Sequence, residues 1–154
     1  MTYSPKRDCA IFEKDTHNGI NRLIPTELAL GPWYENSLHG SPMIGMMARA
    51  AEQYPSEVPR LVSKLSVDMM RAAPASPLHT EVEVIRSGKS ADFLDIRLFA
   101  GDELYVRATA MRIRQKNVEI EDYFRGIGPY PSLPAAPKEP FFQFPGREIP
   151  AYHH

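Results

Sequence analysis

GPWYENSLHGSPMIGMMARAAE, residues 31–52, is the stretch of this 154-residue chain that decides its fold. Its first half is a polar loop, and Ser41-Pro42 is typical of a helix start, because serine caps backbone N–H groups and proline is well placed at the first helical position. The residues that follow are apolar on almost every side as far as Arg49, which predicts a buried helix from Pro42 to Tyr54. The N-terminus of such a helix offers N–H groups and a positive dipole to a carbonyl oxygen or an anion.

Length and composition indicate one domain and an appended tail. The formal net charge is −1, which gives no sign of a nucleic-acid partner. The single cysteine, Cys9, excludes an intramolecular disulfide and a multi-cysteine metal site. No apolar run approaches the roughly 20 residues that span a membrane, and the N-terminus lacks the apolar core of a signal peptide. We therefore expect a cytoplasmic protein with neither a membrane nor a nucleic-acid partner.

The segments around this helix read as strands. Asn18-Gly19 predicts a hairpin turn between residues 9–14 and 20–24, because both residues tolerate positive φ. Alternation of apolar and polar residues predicts further strands over 60–70, 80–84, 94–98 and 104–114. In the first of these, one face is predicted to carry Leu61, Ser63, Leu65, Val67 and Met69. In the last, the apolar phase slips between Ala108 and Met111, which predicts a bulge or a close approach of the helix. The sum is an antiparallel sheet with one dry face, covered by one long helix.

The C-terminal part of the chain has a different character. Seven of the fifteen prolines lie from Pro129 to Pro150, among several aromatic residues. We therefore divide the chain into a domain over residues 1–116 and a proline-rich arm or linker over 117–154.

Several short motifs together resemble the N-terminal half of the double-hotdog, TesB-like acyl-CoA thioesterases. The matching pieces are Pro25-Thr26-Glu27-Leu28-Ala29, Gly31-Pro32-Trp33, His39-Gly40-x-Pro42, Ala48-Arg49-Ala50-x-Glu52, Arg60-Leu61 through Val67-Asp68 with Arg71-x-x-Pro74, and Ala108-x-Ala110-x-Arg112. The resemblance implies an α+β hotdog fold, in which an antiparallel β-sheet wraps around one long central helix. It also implies that a proline-rich connector leads to a second hotdog, and residues 150–154 resemble the beginning of one. Because a lone hotdog leaves a sheet edge exposed, we expect a homodimer or a higher homo-oligomer.

The resemblance further implies an acyl-CoA substrate and thioester hydrolysis, with coenzyme A present only as part of the substrate and no separate cofactor or metal. The candidate catalytic residues are His39, Gly40 and Glu35. Gly40 and Ser41 offer the N–H groups that polarise the carbonyl, and the candidates to activate water are His39, Glu35, Glu52 and Asp68. The candidate substrate-binding residues, which line an acyl tunnel or simply form core, are Ser41, Trp33, Met43, Met46, Met47 and Met69. The basic residues that can meet the phosphates of coenzyme A, or are ordinary surface charges, are Arg71, Arg86, Lys89, Arg112 and Arg114.

One departure from the family pattern keeps alternatives open. No carboxylate stands in the helix directly after the histidine–glycine pair, and Glu52 is expected to pair with Arg49. In TesB-like enzymes the catalytic aspartate belongs to the second hotdog. A non-catalytic module that binds acyl thioesters is therefore one alternative. A hotdog enoyl-CoA hydratase is another, for which Asp15-x-His17 is the nearby acid–histidine pair.

Overall fold

The computed structural model describes residues 10–119, together with Glu121 and Ser132. The strands are β1 (Phe12–His17), β2 (Ile20–Pro25), β3 (Arg60–Met69), β4 (Leu78–Ser87), β5 (Ala91–Ala100) and β6 (Glu103–Arg114). A short 3-10 helix, Glu27–Ala29, precedes the long helix α1, Gly40–Gln53. All strand pairs are antiparallel, in the order β1-β2-β4-β5-β6-β3. The sequence-predicted arm, 117–154, lies outside the described residues except for 117–119, Glu121 and Ser132.

The first hairpin turns where the sequence predicts. Asn18 and Gly19 have φ angles of 51° and 78°, so both adopt the left-handed conformation of a two-residue hairpin turn. His17 pairs with Ile20 and the register continues to Phe12 opposite Pro25. The hairpin joins the rest of the sheet through β2 and β4, where Leu23 is opposite Leu78.

Helix α1 begins two residues earlier than expected. Its N-cap is His39, whose ring Nδ1 accepts a hydrogen bond of 3.1 Å from the Ser41 N–H. The prediction that Ser41 caps the helix is therefore wrong, because the helix begins earlier and the imidazole of His39 is the N-cap acceptor. The helix ends at Gln53, and Tyr54 is extended before a proline. Within the described residues, no helix combines the length and apolarity needed to cross a membrane.

The core lies between α1 and the inner face of the sheet. Its fully buried side chains include Met47, Leu94, Ile96, Leu98 and Val106. Ala108 and Ala110 are also buried, in a strand that contacts α1. The pairing of β6 is continuous across this stretch, so the predicted phase slip is not a bulge. Ala108 and Ala110 are small residues that face α1, which agrees with the alternative prediction that the helix approaches the strand closely here.

Bulges lie instead at Ile85 in β4, at Tyr105 in β6 and at Ser63 in β3. The register with β6 shifts between Val62 and Lys64, so Ser63 is the extra residue. Val62 packs against the core as a result, whereas Leu61 is 50% exposed. The prediction that Leu61 and Ser63 share the face of Leu65 is therefore wrong, because one inserted residue reverses the alternation on one side of it.

A buried arginine attaches the end of α1 to the sheet. Arg112 is 2% exposed and makes two hydrogen bonds, of 3.0 and 2.7 Å, to the Asp92 carboxylate. Its Nη1 also donates to the carbonyl oxygens of Ala51 and Tyr54, at 3.1 and 2.6 Å. A cation at a helix C-terminus is favourable because the last carbonyls carry partial negative charge. The cluster fixes how α1 lies on the sheet.

A second charged cluster lies on the outer face of the sheet. The buried carboxylate of Asp95 accepts hydrogen bonds from Arg107 at 2.7 Å and from Arg97 at 2.8 Å. Burial raises the pKa of Asp95, but the hydrogen bonds and charges of the two arginines outweigh burial. The pKa of Asp95 therefore lies below its ordinary value.

Candidate functional site

The loop before α1 is held by backbone hydrogen bonds at both ends. The Gly31 N–H donates to Ser37 O at 2.8 Å, and the His39 N–H donates to Ala29 O at 2.9 Å. The Leu38 N–H donates to Ala73 O at 2.9 Å, which ties the loop to the segment after β3. A Cβ on Gly31 would lie 3.0–3.1 Å from backbone atoms of Leu38 and His39, so glycine is needed there. The loop thus delivers His39 and Gly40 to a fixed place at the start of α1.

The helix start leaves one backbone donor among its first three residues. The Ser41 N–H is used by His39, and Pro42 has no N–H. The Gly40 N–H makes no hydrogen bond to any residue that the structure describes. A Cβ on Gly40 would lie 3.0 Å from Cε and 3.3 Å from Sδ of Met69, so this methionine covers the glycine from β3. A single N–H beside an apolar side chain is a suitable place for a carbonyl oxygen.

The ring of His39 caps the start of helix α1. Because Nδ1 accepts the Ser41 N–H, the neutral ring carries its proton on Nε2. In that tautomer the ring can donate a proton from Nε2 but cannot accept one there.

The other candidate residues are distributed unevenly around this point. Trp33 and Glu35 lie exposed in the loop, and Glu35 makes no hydrogen bond or ion pair with a described residue. Met43 and Met47 are packed in the core. Met46 is also buried, and it lines a groove beside the helix.

That groove lies between the β1–β2 hairpin and α1 and has two sections. The section near the start of α1 has a volume of about 620 Å³ and is lined mainly by Ile11, Phe12, Leu23, Pro42, Gly45 and Met46, with Ser41 at its edge. The section towards the end of α1 has a volume of about 540 Å³ and is lined by polar groups that include Asp15, Arg22, Gln53 and His79. Lys14 and Arg49 line both sections.

The basic residues that line the groove are not those predicted from the sequence to meet the phosphates of coenzyme A. Arg112 is buried in its cluster with Asp92, and Arg71 forms an ion pair with Glu103. Lys89 and Arg114 line a separate cavity near the end of α1. The missed residues are Lys14 and Arg49. Spacing alone places Arg49 on the face of Met46, three residues earlier, but nothing in the sequence places Lys14 beside them.

Two further pairs of charged residues are predicted from the sequence, Arg49 with Glu52 and Asp15 with His17. The expected ion pair between Arg49 and Glu52 is not formed, within the part of the chain that the structure describes. Asp15 forms an ion pair with Arg22 across the hairpin, and the hydrogen bond from Arg22 lowers the pKa of Asp15. His17, its neighbour in the Asp15-x-His17 motif, is exposed beside the turn.

Comparison with known proteins identifies a sequence family and a fold. The model of the acyl-CoA thioesterase N-terminal domain matches residues 30–113, more than half of the chain. The match begins in the loop before α1 and ends in β6. No curated protein matches the chain.

Solved structures resemble the chain at low sequence identity. The BH2602 protein of Bacillus halodurans, crystallised with CoA, has a TM-score of 0.56 and 16% identity, over 73% of this chain and 83% of that one. The E. coli PaaI protein of the phenylacetic acid degradation operon has a TM-score of 0.54 and 16% identity, over 63% and 72%. A variant of a thioesterase from Staphylococcus aureus has a TM-score of 0.52 and 16% identity, over 68% and 93%. The sheet and its one long helix form a hotdog fold, as the sequence predicts.

Proposed function

Because this chain belongs to the family of acyl-CoA thioesterase N-terminal domains, we propose that it binds acyl-CoA thioesters and hydrolyses them. The observation that carries the proposal is the Gly40 N–H, which has no hydrogen-bond partner among the described residues at the start of α1. The thioester carbonyl oxygen accepts this N–H, and the helix dipole stabilises the negative charge that develops on the oxygen. Glycine at this position lets the substrate approach the backbone closely.

The remaining steps need a water molecule and a group that activates it. We assign this role to Glu35, because its carboxylate lies exposed in the loop that ends at Gly40. Water attacks the carbonyl carbon and its proton passes to the carboxylate. As the carbon–sulfur bond breaks, Glu35 returns that proton to the leaving sulfur, which gives the CoA thiol and the free carboxylic acid. His39 is a positioning residue in this scheme, since its ring occupies the Ser41 N–H and leaves the Gly40 N–H as the donor.

A second hotdog completes the site in this proposal. The chain's motifs resemble those of the N-terminal half of TesB-like enzymes, and β3 ends the sheet with β6 as its only partner among the described strands. We expect homodimers in which two sheets join edge to edge. Light scattering on the purified chain tests this, and a stable monomer would contradict it.

A non-catalytic acyl-thioester binding module is the second candidate. It is favoured by one observation, that no carboxylate among the described residues hydrogen-bonds at the start of α1. Thiol release from acyl-CoAs of increasing chain length, followed with a thiol-capture reagent, separates the two functions. Turnover that falls in Glu35→Gln supports hydrolysis by the assigned base. Binding of acyl-CoA without turnover supports the binding module.

A further inference from the structure

The groove between the hairpin and α1 changes character along the helix. The section beside Ser41 and Gly45 is apolar, and the section beside Gln53 is polar. At a rise of about 1.5 Å per residue, Gln53 lies roughly 18 Å from Ser41 along α1. An elongated ligand can therefore lie along the helix with an apolar part near the carbonyl donor and a polar part far from it.

The polar section carries excess positive charge. Lys14, Arg22 and Arg49 line it with one carboxylate, that of Asp15, which gives these four residues a net charge of +2. Asp15 is already paired with Arg22, whereas Lys14 and Arg49 are exposed and form no ion pair within residues 10–119. The Nε atom of Arg22 is buried and has no hydrogen-bond partner in the described part of the chain. Three guanidinium or ammonium groups with one carboxylate favour an anionic ligand.

We infer that this groove holds the coenzyme A arm of the substrate, with the pantetheine in the apolar section and the phosphates at Lys14 and Arg49. The inference rests on the proposed function, which places the thioester carbonyl at Gly40. From the carbonyl outward, the arm is first uncharged and then carries the phosphates, which is the order of the two sections of the groove. Both volumes, about 620 and about 540 Å³, are in the range of small-molecule sites.

The same placement sets the direction of the acyl group. Ser41 borders the groove on the hairpin side, while Met69 covers Gly40 from β3. With coenzyme A in the groove, the acyl group leaves Gly40 towards Met69. This methionine is half-exposed beside the free edge of the sheet, where an edge-to-edge partner would lie.

The charge at the polar section is tested with Lys14→Gln, Arg49→Gln and the double variant. Isothermal titration calorimetry measures the affinity of the full chain for CoA and for adenosine 3′,5′-bisphosphate. We expect each single change to weaken CoA binding about tenfold, since each removes a charge-assisted contact to phosphate. The matched control is Lys64→Gln, because Lys64 is also exposed but lies in β3, at the opposite edge of the sheet from the hairpin. The control should leave CoA affinity unchanged.

The apolar section is tested at Gly45. A Cβ on this helical glycine would meet nothing within 4 Å, so a larger side chain extends into the groove without disturbing the core. Gly45→Trp should weaken CoA binding at least about tenfold, and by more than Gly45→Ala, because an indole fills far more of the groove than one methyl group. Octanoyl-pantetheine lacks the phosphates of coenzyme A. Gly45→Trp should therefore lower the affinity of the chain for octanoyl-pantetheine, whereas Arg49→Gln should leave it unchanged.

The outcomes distinguish a failure of the coenzyme A placement from a failure of the proposed function. If wild type binds CoA and the double variant and Gly45→Trp bind it equally well, the groove does not hold the coenzyme arm. If Gly45→Trp weakens binding of octanoate and leaves that of CoA unchanged, the groove holds the acyl chain and the inference is overturned. If wild type binds neither CoA nor acyl-CoA and releases no thiol, the proposed function itself fails.

Discussion

Replacing Gly40 by proline removes the N–H donor from the candidate site and adds the three ring carbons of the proline. Gly40 is the first residue of α1, a position where proline is favoured. His39 already has φ −72° and ψ 149°, the extended conformation that the residue before a proline requires. Of the three added carbons, Cβ meets only the flexible end of Met69, with Cε at 3.0 Å and Sδ at 3.3 Å. The variant should therefore fold.

The size of the expected effect follows from the absence of a substitute donor. Ser41 donates to His39 and Pro42 has no N–H, so no second N–H among the first three helical residues replaces the one that is lost. Removing one oxyanion donor costs about 100- to 1000-fold in kcat, or about 2.7–4 kcal/mol. We expect Gly40→Pro to lower kcat for acyl-CoA by at least about 100-fold, measured by thiol release.

The matched control is Gly40→Ala, which makes the same contact with Met69 but keeps the N–H. Urea denaturation of both variants checks that their free energies of unfolding remain similar. If Gly40→Pro retains kcat within about threefold of Gly40→Ala, the helix start does not stabilise the oxyanion, and the mechanism proposed here is wrong.

Three further predictions concern stability. Arg112→Met should lower the free energy of unfolding by about 1–3 kcal/mol in urea, because it removes the bidentate partner of Asp92 and leaves only the ion pair with Arg60 at 3.3 Å; an unchanged free energy of unfolding would contradict this. Since the pKa of Asp95 is lower in the folded protein, its ionised form stabilises the fold above about pH 4, and that contribution is lost as the pH falls through the folded-state pKa. Asp95→Asn should therefore make the urea midpoint less dependent on pH between about 6 and about 3, and an unchanged slope would refute it. Gly45→Ala should raise the free energy of unfolding by up to about 1 kcal/mol, because the helix has open space there; a destabilised variant would show that the space is occupied.

Much of the fold is predictable because it depends on neighbours along the chain. The turn at Asn18 and Gly19 follows from their tolerance of positive φ, and the end of α1 follows from the proline after Tyr54. The predictions are wrong where a single residue changes which face of a strand its neighbours lie on. Ser63 bulges out of β3 and moves Leu61 to the outer face, and a sequence pattern does not show which residue of a strand is unpaired.

The candidate site is predictable in place but not in detail. Glycine, serine and proline indicate the loop and the helix start, and the structure puts Gly40 at that start. That the Ser41 N–H is already used depends on the orientation of the His39 ring, which no local preference determines. The same holds for Arg112, which looks like a surface cation in the sequence and is buried because Asp92 and the end of α1 surround it.

The sequence by itself determined the turn, the helix and the alternating strands, and its motifs indicated the thioesterase family. Those features rest on backbone preferences and on patterns within a few residues of each other. Only the tertiary structure decided which helix N–H remains available and which cations share the groove. Lys14 and Arg49 belong to different elements, and they line one groove only because the hairpin folds over α1. Charge and hydrogen bonding at a site depend on such distant neighbours, which a linear pattern does not contain.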